Sequence, residues 1–258
     1  MPTIELTLIE FLQGLFSFII VITAALTGIL IALRYFQTKQ WTFLTIGLAW
    51  IGVVAGWIPD SINFILVFFG QRLPLTIYLI IAIALYPPVV LLWLTGITKL
   101  LEIKKRKQYL ILFLIFCIIS EIIFFIFLII DKTGLVGEFI SIFIVDFKLY
   151  SMIILFLSLV LIIFSGLKFA YGAFTSTEPK IKLKGNFLLF AFISVTIGVL
   201  LDLITTALSG AIEAILYVLL PIMIVIARLI IAISCIAFYC GYILPKWLED
   251  LFLKASEK

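Results

Sequence analysis

Seven long apolar runs alternate with short polar segments along the 258-residue chain. A helix crosses a hydrocarbon core of roughly 30 Å in about 20 residues, so each run is long enough to span a bilayer. The runs predict helices over Leu8–Tyr35, Trp41–Phe69, Pro74–Leu101, Gln108–Ile130, Lys148–Phe174, Asn186–Leu208 and Ala214–Tyr242. The second is the least regular. Pro59 removes a backbone donor, and the run could stop at Trp57, leaving Ser61–Phe69 as an interfacial or re-entrant piece. The small and polar positions favour one kinked helix instead. Thr45, Ala49, Gly52, Gly56, Asp60 and Asn63 recur at helical steps of three and four straight through Pro59, which turns Asp60 toward the bundle. In the sixth run Ser194, Gly198, Asp202, Thr205 and Ser209 mark one face in the same way, and Gly14, Ser17, Gly28 and Ala32 give the first run a close-packing side.

Composition narrows the class further. The chain is 65% hydrophobic and 12% charged, against about half and about a quarter in soluble domains. A soluble fold of this length has no interior large enough for that apolar content, and a disordered or nucleic-acid-binding chain needs far more polar residues. The expected fold is therefore all-α: a polytopic seven-transmembrane-helix bundle over residues 1–243, with residues 244–258 as a juxtamembrane helix and tail. In that tail Trp247, Leu248, Leu251 and Phe252 share a face opposite Glu249, Asp250 and Lys254, which predicts a short amphipathic helix on the inner leaflet. The acidic N-terminus lacks the pattern of a cleavable signal peptide, so the first helix is read as its own address.

Charge sets the expected orientation. Arg34, Lys39, Lys99, Lys104, Lys105, Arg106, Lys107, Lys168, Lys180, Lys182, Lys184, Lys246, Lys254 and Lys258 all fall on one side of the seven runs. The opposite side holds Arg72, Lys132 and Lys148 against Glu5, Glu10, Asp131, Glu138, Asp146 and Glu213. Short cytoplasmic loops retain Lys and Arg, which puts the N-terminus outside, the C-terminus inside and the chain in the cell membrane as a multi-pass protein. The net charge of +4 is then a topological signal, and no nucleic-acid partner is expected. The run Lys104–Lys107 is first of all part of that signal, although it could also attract anionic headgroups.

Four ionisable residues remain at membrane depth. At about 1.5 Å per residue, Asp60, Glu121 and Asp202 lie about 9 to 14 Å below the outer boundary, and the side chain of Arg228 reaches up toward the same level. Asp202 is the expected partner of Arg228, because a short turn near Ser209 and Gly210 makes the last two helices neighbours and a guanidinium can grip a carboxylate with two bonds. Such a pair could merely fix helix register. Two further carboxylates at the same depth exceed what one arginine neutralises, so at least one of Asp60 and Glu121 is expected to hold a proton or to meet water or a cation. Pro59, Pro87, Pro88 and Pro221 interrupt backbone bonding near this level, and Trp50, Trp57, Tyr78, Tyr86 and Asn63 could form an aromatic and polar wall. The expected ligand-binding set is Asp60, Asn63, Glu121, Asp202 and Arg228, with no metal ligand and no cofactor.

There is no histidine, which removes imidazole chemistry and His-ligated metals. Cys117, Cys235 and Cys240 all fall inside helices, and no nucleophile elbow or phosphate loop is present. Enzymatic activity ranks third among the readings.

Glu178–Phe192, reading EPKIKLKGNFLLFAF, and Phe238–Phe252, reading FYCGYILPKWLEDLF, resemble a widespread group of seven-helix archaeal membrane proteins. The resemblance, a basic loop followed by a Pro-Trp inner-leaflet helix, implies a fold and no defined activity. The topology is also that of rhodopsins and G-protein-coupled receptors, but the basic residue of the seventh helix is Arg228 rather than a Schiff-base lysine, which excludes covalent retinal. The third helix ends TGITKLL without an Asp-Arg-Tyr triplet, and the seventh has no Asn-Pro-x-x-Tyr run. The leading expectation is a receptor-like sensor that binds a small lipophilic or cationic molecule and is read by a cytoplasmic or membrane protein partner. The alternative is a small-solute or proton-coupled ion transporter with a three-one-three helix plan. A structural subunit of a membrane complex is the second alternative.

Overall fold

Thr7 starts the first helix. Its hydroxyl accepts the Glu10 N–H, and the Glu10 carboxylate accepts the Thr7 N–H, a reciprocal cap that satisfies two donors at the helix entrance. The computed structural model of the chain describes residues 6–208 and 214–253. The expected turn at Ser209 and Gly210, and Glu5, Glu213, Lys254, Glu257 and Lys258 of the charge pattern, lie outside them. The helices are α1 (Leu8–Thr38), α2 (Trp41–Gly52), α3 (Ile58–Val67), α4 (Leu75–Leu79), α5 (Tyr86–Leu100), α6 (Arg106–Leu135), α7 (Leu149–Phe174), α8 (Pro179–Leu208), α9 (Ala214–Ile243) and α10 (Lys246–Leu253). Seven stretches of helix are long and apolar enough to cross a membrane, with α2–α3 and α4–α5 each making one span. Their outer faces carry large apolar side chains, such as Ile129 at 84% and Phe164 at 71% exposure, which only a lipid environment accommodates. The chain is a multi-pass, all-α membrane protein.

Neighbour contacts run from α1 to α2, α2 to α5, α5 to α7, α7 to α8, α8 to α9 and α9 back to α1. Spans one to three and five to seven thus close a ring. The fourth span, α6, packs on α5 outside it, and only 17% of its apolar window is buried against 28–44% in the others. Small residues let these helices approach. A Cβ on Gly47 would stand 2.6 Å from the backbone of Gly28 and of Ala32, so α1 and α2 touch main chain to main chain. Inside the ring, Trp50 stacks on Phe238 at 3.6 Å between centroids, with Trp93 and Phe192 completing an aromatic core.

The second span is not the single kinked helix its polar stripe predicts. It stops at Gly52, turns through Val53 and Val54, passes a 3-10 turn (Ala55–Trp57), and restarts as α3. Pro59 is therefore in the first turn of a new helix, where its missing N–H costs nothing. Tyr86 of the next span bridges the break. Its hydroxyl accepts the Gly56 N–H at 3.2 Å and lies 3.3 Å from the Val53 carbonyl, to which it donates, serving two backbone groups that an unbroken helix would pair. The third span is interrupted as well. A π turn over Ile80–Ala84 precedes Pro87 and Pro88, which bring no backbone N–H to the helix, and the Pro87 carbonyl accepts the Cys117 thiol at 3.3 Å.

Two further differences concern the ends. Lys182 to Lys184 of the basic segment, expected in a loop, stand in the opening turns of α8, because helix-forming residues follow Pro179 and hydropathy marks the lipid boundary rather than the last hydrogen bond. Between α6 and α7 the chain forms a small antiparallel hairpin, β1 (Gly137–Phe139) and β2 (Val145–Phe147), in the register Gly137 to Phe147 and Phe139 to Val145. Phe143 at its tip is buried against Phe64 and Val67, folding the hairpin over that end of the ring. The predicted amphipathic helix is present as α10: Leu248 is buried against Leu183 and Cys240, Glu249 pairs with Lys180 at 2.8 Å, and Trp247 and Leu251 are exposed.

Candidate functional site

The break in the second span positions the site. By opening α3 at Ile58, it places Asp60 in the first helical turn, where the N-terminal end of the helix dipole favours negative charge. The same break turns Trp57 inward. Its indole N–H donates to Asp202 Oδ2 on α8 at 3.1 Å. Arg228 on α9 donates from Nε to Asp202 Oδ1, also at 3.1 Å, so the pairing expected from depth and connectivity is present. Arg228 also donates from Nη1 to the Gln13 carbonyl and the Ser17 hydroxyl of α1, and its Nη2 stands 4.0 Å from Asp60 Oδ2. Asp60 is held from two other sides: Tyr78 of α4 donates to Oδ1 at 2.6 Å, and Ser17 donates to Oδ2 at 3.2 Å.

Five spans thus meet in one network around a guanidinium. Arg228 and Asp60 are each 4% exposed, Gln13 and Tyr78 3%, and Ser17 is fully buried. Charge-assisted bonds in such a setting are the stronger kind, and their planar geometry fixes the azimuth of each helix as well as its depth. The charges do not balance within the group, since two carboxylates face one guanidinium. One acceptor is also left over: Gln13 Oε1 is buried with no hydrogen-bond partner among the described residues.

The predicted set therefore divides. Asp60, Asp202 and Arg228 come together. Glu121 does not join them: it lies on α6, outside the ring, in the neighbourhood of Cys117 and Tyr150, and its Oε1 has no hydrogen-bond partner among the described residues. Equal depth does not imply an equal face. Asn63 is engaged elsewhere, its side-chain N–H donating to the Ile142 carbonyl of the hairpin at 2.9 Å and its Oδ1 accepting the Leu73 N–H at 2.7 Å. It clamps two loops to α3. Of the expected aromatic wall, Trp57 and Tyr78 are in the network, Tyr86 braces the break and Trp50 belongs to the aromatic core. Gln13 and Ser17 are additions. Ser17 was visible in the small-residue side of the first run, whereas nothing in the sequence singles out Gln13.

Two cavities of the bundle are lined by none of these five residues. One, of about 410 Å³, opens at the end of the bundle bearing most basic residues, between Gln40, Thr42, Phe169, Lys184 and Tyr242. The other, of about 660 Å³, is an apolar groove on the flank formed by α5, α6 and α7. Among the described residues no three of Cys, Asp and Glu gather as a metal site would need. No family model matches the chain, and no curated protein or solved structure matches it.

Proposed function

We propose that the chain is a receptor-like sensor of the cell membrane, N-terminus outside and C-terminus inside, in which a small cationic molecule engages the Asp60–Arg228–Asp202 network. The observation that carries the reading is the imbalance of that network: two carboxylates face one guanidinium, and the side-chain Oε1 of Gln13, whose backbone carbonyl accepts from Arg228, is buried without a hydrogen-bond partner among the described residues. With both carboxylates ionised the group has one negative charge in excess, which a further positive charge would stabilise, and an ammonium donor suits both the charge and the spare acceptor. Because the network ties together spans one, two, three, six and seven, a ligand that draws a carboxylate from Arg228 would alter five helices at once. The broken second span and the π turn of the third adjoin it and give the bundle places to bend. An intracellular or membrane partner would read the change.

A panel of primary and quaternary amines tests the proposal against the thermal unfolding of the purified full chain. Saturable stabilisation by an amine, lost in Asp60→Asn and in Asp202→Asn, is expected. The reading is overturned if Asp202→Leu and Arg228→Leu leave folding, amine-dependent stability and partner association unchanged. Transport is the second reading, favoured by the fourth span lying outside a ring of spans one to three and five to seven, as a three-one-three plan requires. Proton or amine uptake into proteoliposomes that disappears in Asp60→Asn would select it, whereas binding without flux selects sensing.

A further inference from the structure

The 660 Å³ groove lies far in chemistry from the charge network. The final turns of α5 form its floor, with α6 and α7 as walls, and Leu94, Ile97, Phe113, Phe116, Leu157 and Leu161 supply most of the surface. The groove exists because α6 is fastened at points rather than along its length. Near one end Arg106 donates to Thr98 Oγ1 and to the Thr95 carbonyl, and farther along Tyr150 of α7 donates to the Ser120 carbonyl. The Cys117 thiol on the Pro87 carbonyl is a further tie beside the second. Two of the lining hydroxyls are already used: Thr98 donates to the Leu94 carbonyl, and Ser165 donates to the Leu161 carbonyl while accepting the Trp93 indole N–H. Nothing inside the groove selects a polar ligand.

Its mouth is different. Ile103 and Tyr109 both line the groove, and between them stand Lys104, Lys105, Arg106 and Lys107. Arg106 is turned inward by its bonds to α5, while Lys104, Lys105 and Lys107 are exposed. From Lys99 to Tyr109 the chain has five basic residues and one acidic one, Glu102. An apolar trench with three exposed lysines beside its mouth matches a molecule with a hydrocarbon tail and an anionic head. The volume is within the roughly 300–1,000 Å³ of ordinary ligand sites. We propose that this groove seats an acyl chain of an anionic phospholipid, with the lipid phosphate on Lys104, Lys105 and Lys107. Bound there, the lipid would fill the wedge between α6 and the ring and set how closely the fourth span approaches it.

The experiment uses the full chain, delipidated in detergent and titrated with phosphatidylglycerol or phosphatidylcholine of identical acyl chains, with retained lipid counted by native mass spectrometry. Phosphatidylglycerol is expected to be retained at least about tenfold more tightly, since each basic residue near an anionic surface adds attraction. Combined Lys104→Gln, Lys105→Gln and Lys107→Gln should abolish that preference and leave the weak retention of both lipids. Leu157→Trp, which fills the groove, should reduce retention of both lipids while circular dichroism reports unchanged helix content. If that variant does not fold, Leu161→Phe takes its place. Equal retention of the two lipids by the unaltered chain, or a preference that survives the lysine substitutions, overturns the proposal. So does unchanged retention in the folded groove-filling variant, or competition by deacylated glycerophosphoglycerol as strong as that of the intact lipid. A delipidated chain that dimerises through groove-lining residues would give the groove to a second copy and overturn it as well.

Discussion

Replacing Arg228 by leucine tests the network most directly. The change removes the donor at 3.1 Å from Asp202, the two donors to Gln13 and Ser17, and the charge 4.0 Å from Asp60. Two magnitudes compete. Hydrogen bonds between membrane helices average about 0.6 kcal/mol, so three lost bonds alone would cost about 2 kcal/mol. Removing one partner of a buried ion pair costs about 3–5 kcal/mol, because the remaining charge is left without compensation. With Arg228 and Asp60 each 4% exposed, solvent does little to relieve that charge, and the larger figure should apply. The expected loss for Arg228→Leu is therefore about 3–5 kcal/mol. Asp202→Leu alone should cost less, since Arg228 still has Asp60 beside it. The double variant Asp202→Leu/Arg228→Leu should fall short of the sum of the single losses by about 1–3 kcal/mol, the range for directly coupled residues. Reversible unfolding of the purified chain in mixed micelles, followed by circular dichroism against the mole fraction of denaturing detergent, measures all four corners of the cycle. An Arg228→Leu variant within about 1 kcal/mol of the parent, or strictly additive single changes, would refute the argument that this arginine organises the bundle.

Three other expectations rest on single contacts. Tyr86→Phe removes the hydroxyl that serves the Gly56 N–H and the Val53 carbonyl, and should lower stability by about 1–3 kcal/mol while speeding amide exchange at Gly56. Gly47→Ala places a methyl 2.6 Å from the backbone of α1, which cannot move aside as a side chain would; a loss of about 1–3 kcal/mol is expected in the same unfolding assay. Asn63→Ala breaks both loop contacts, so exchange protection should fall at Leu73, whose N–H bonds the side chain, while the Arg228 network and helix content remain intact.

What the sequence reveals here follows from which forces act along the chain and which act between chain segments. Bilayer thickness dictates the length of an apolar run, and for that reason the predicted first and last spans, Leu8–Tyr35 and Ala214–Tyr242, lie close to the observed Leu8–Thr38 and Ala214–Ile243. The Asp202–Arg228 contact was legible from depth and a short connection, both one-dimensional quantities. The azimuth of a whole span is not one-dimensional. Glu121 shares the expected depth of Asp60, but it belongs to a helix whose place outside the ring is decided by packing on α5 and the hairpin. The break in the second span was hidden for a related reason. Its stripe of small residues keeps helical phase, and the groups that make a break tolerable come from Tyr86, on another span. Asn63 extends the same polar stripe, yet the loop between α3 and α4 and the hairpin fold back onto it, and no periodicity announces where a loop returns.

The separation of the network's members along the chain bears on how the molecule is made. Gln13 and the arginine whose guanidinium it accepts are 215 residues apart, and Asp60 and Asp202 both leave the ribosome before Arg228 does. Until α9 is made, Asp60 and Asp202 lack the countercharge that Arg228 supplies. A chain truncated before α9 would display that deficit permanently. Arg228 thus links the assembly of the seventh span to residues of the first, second and sixth.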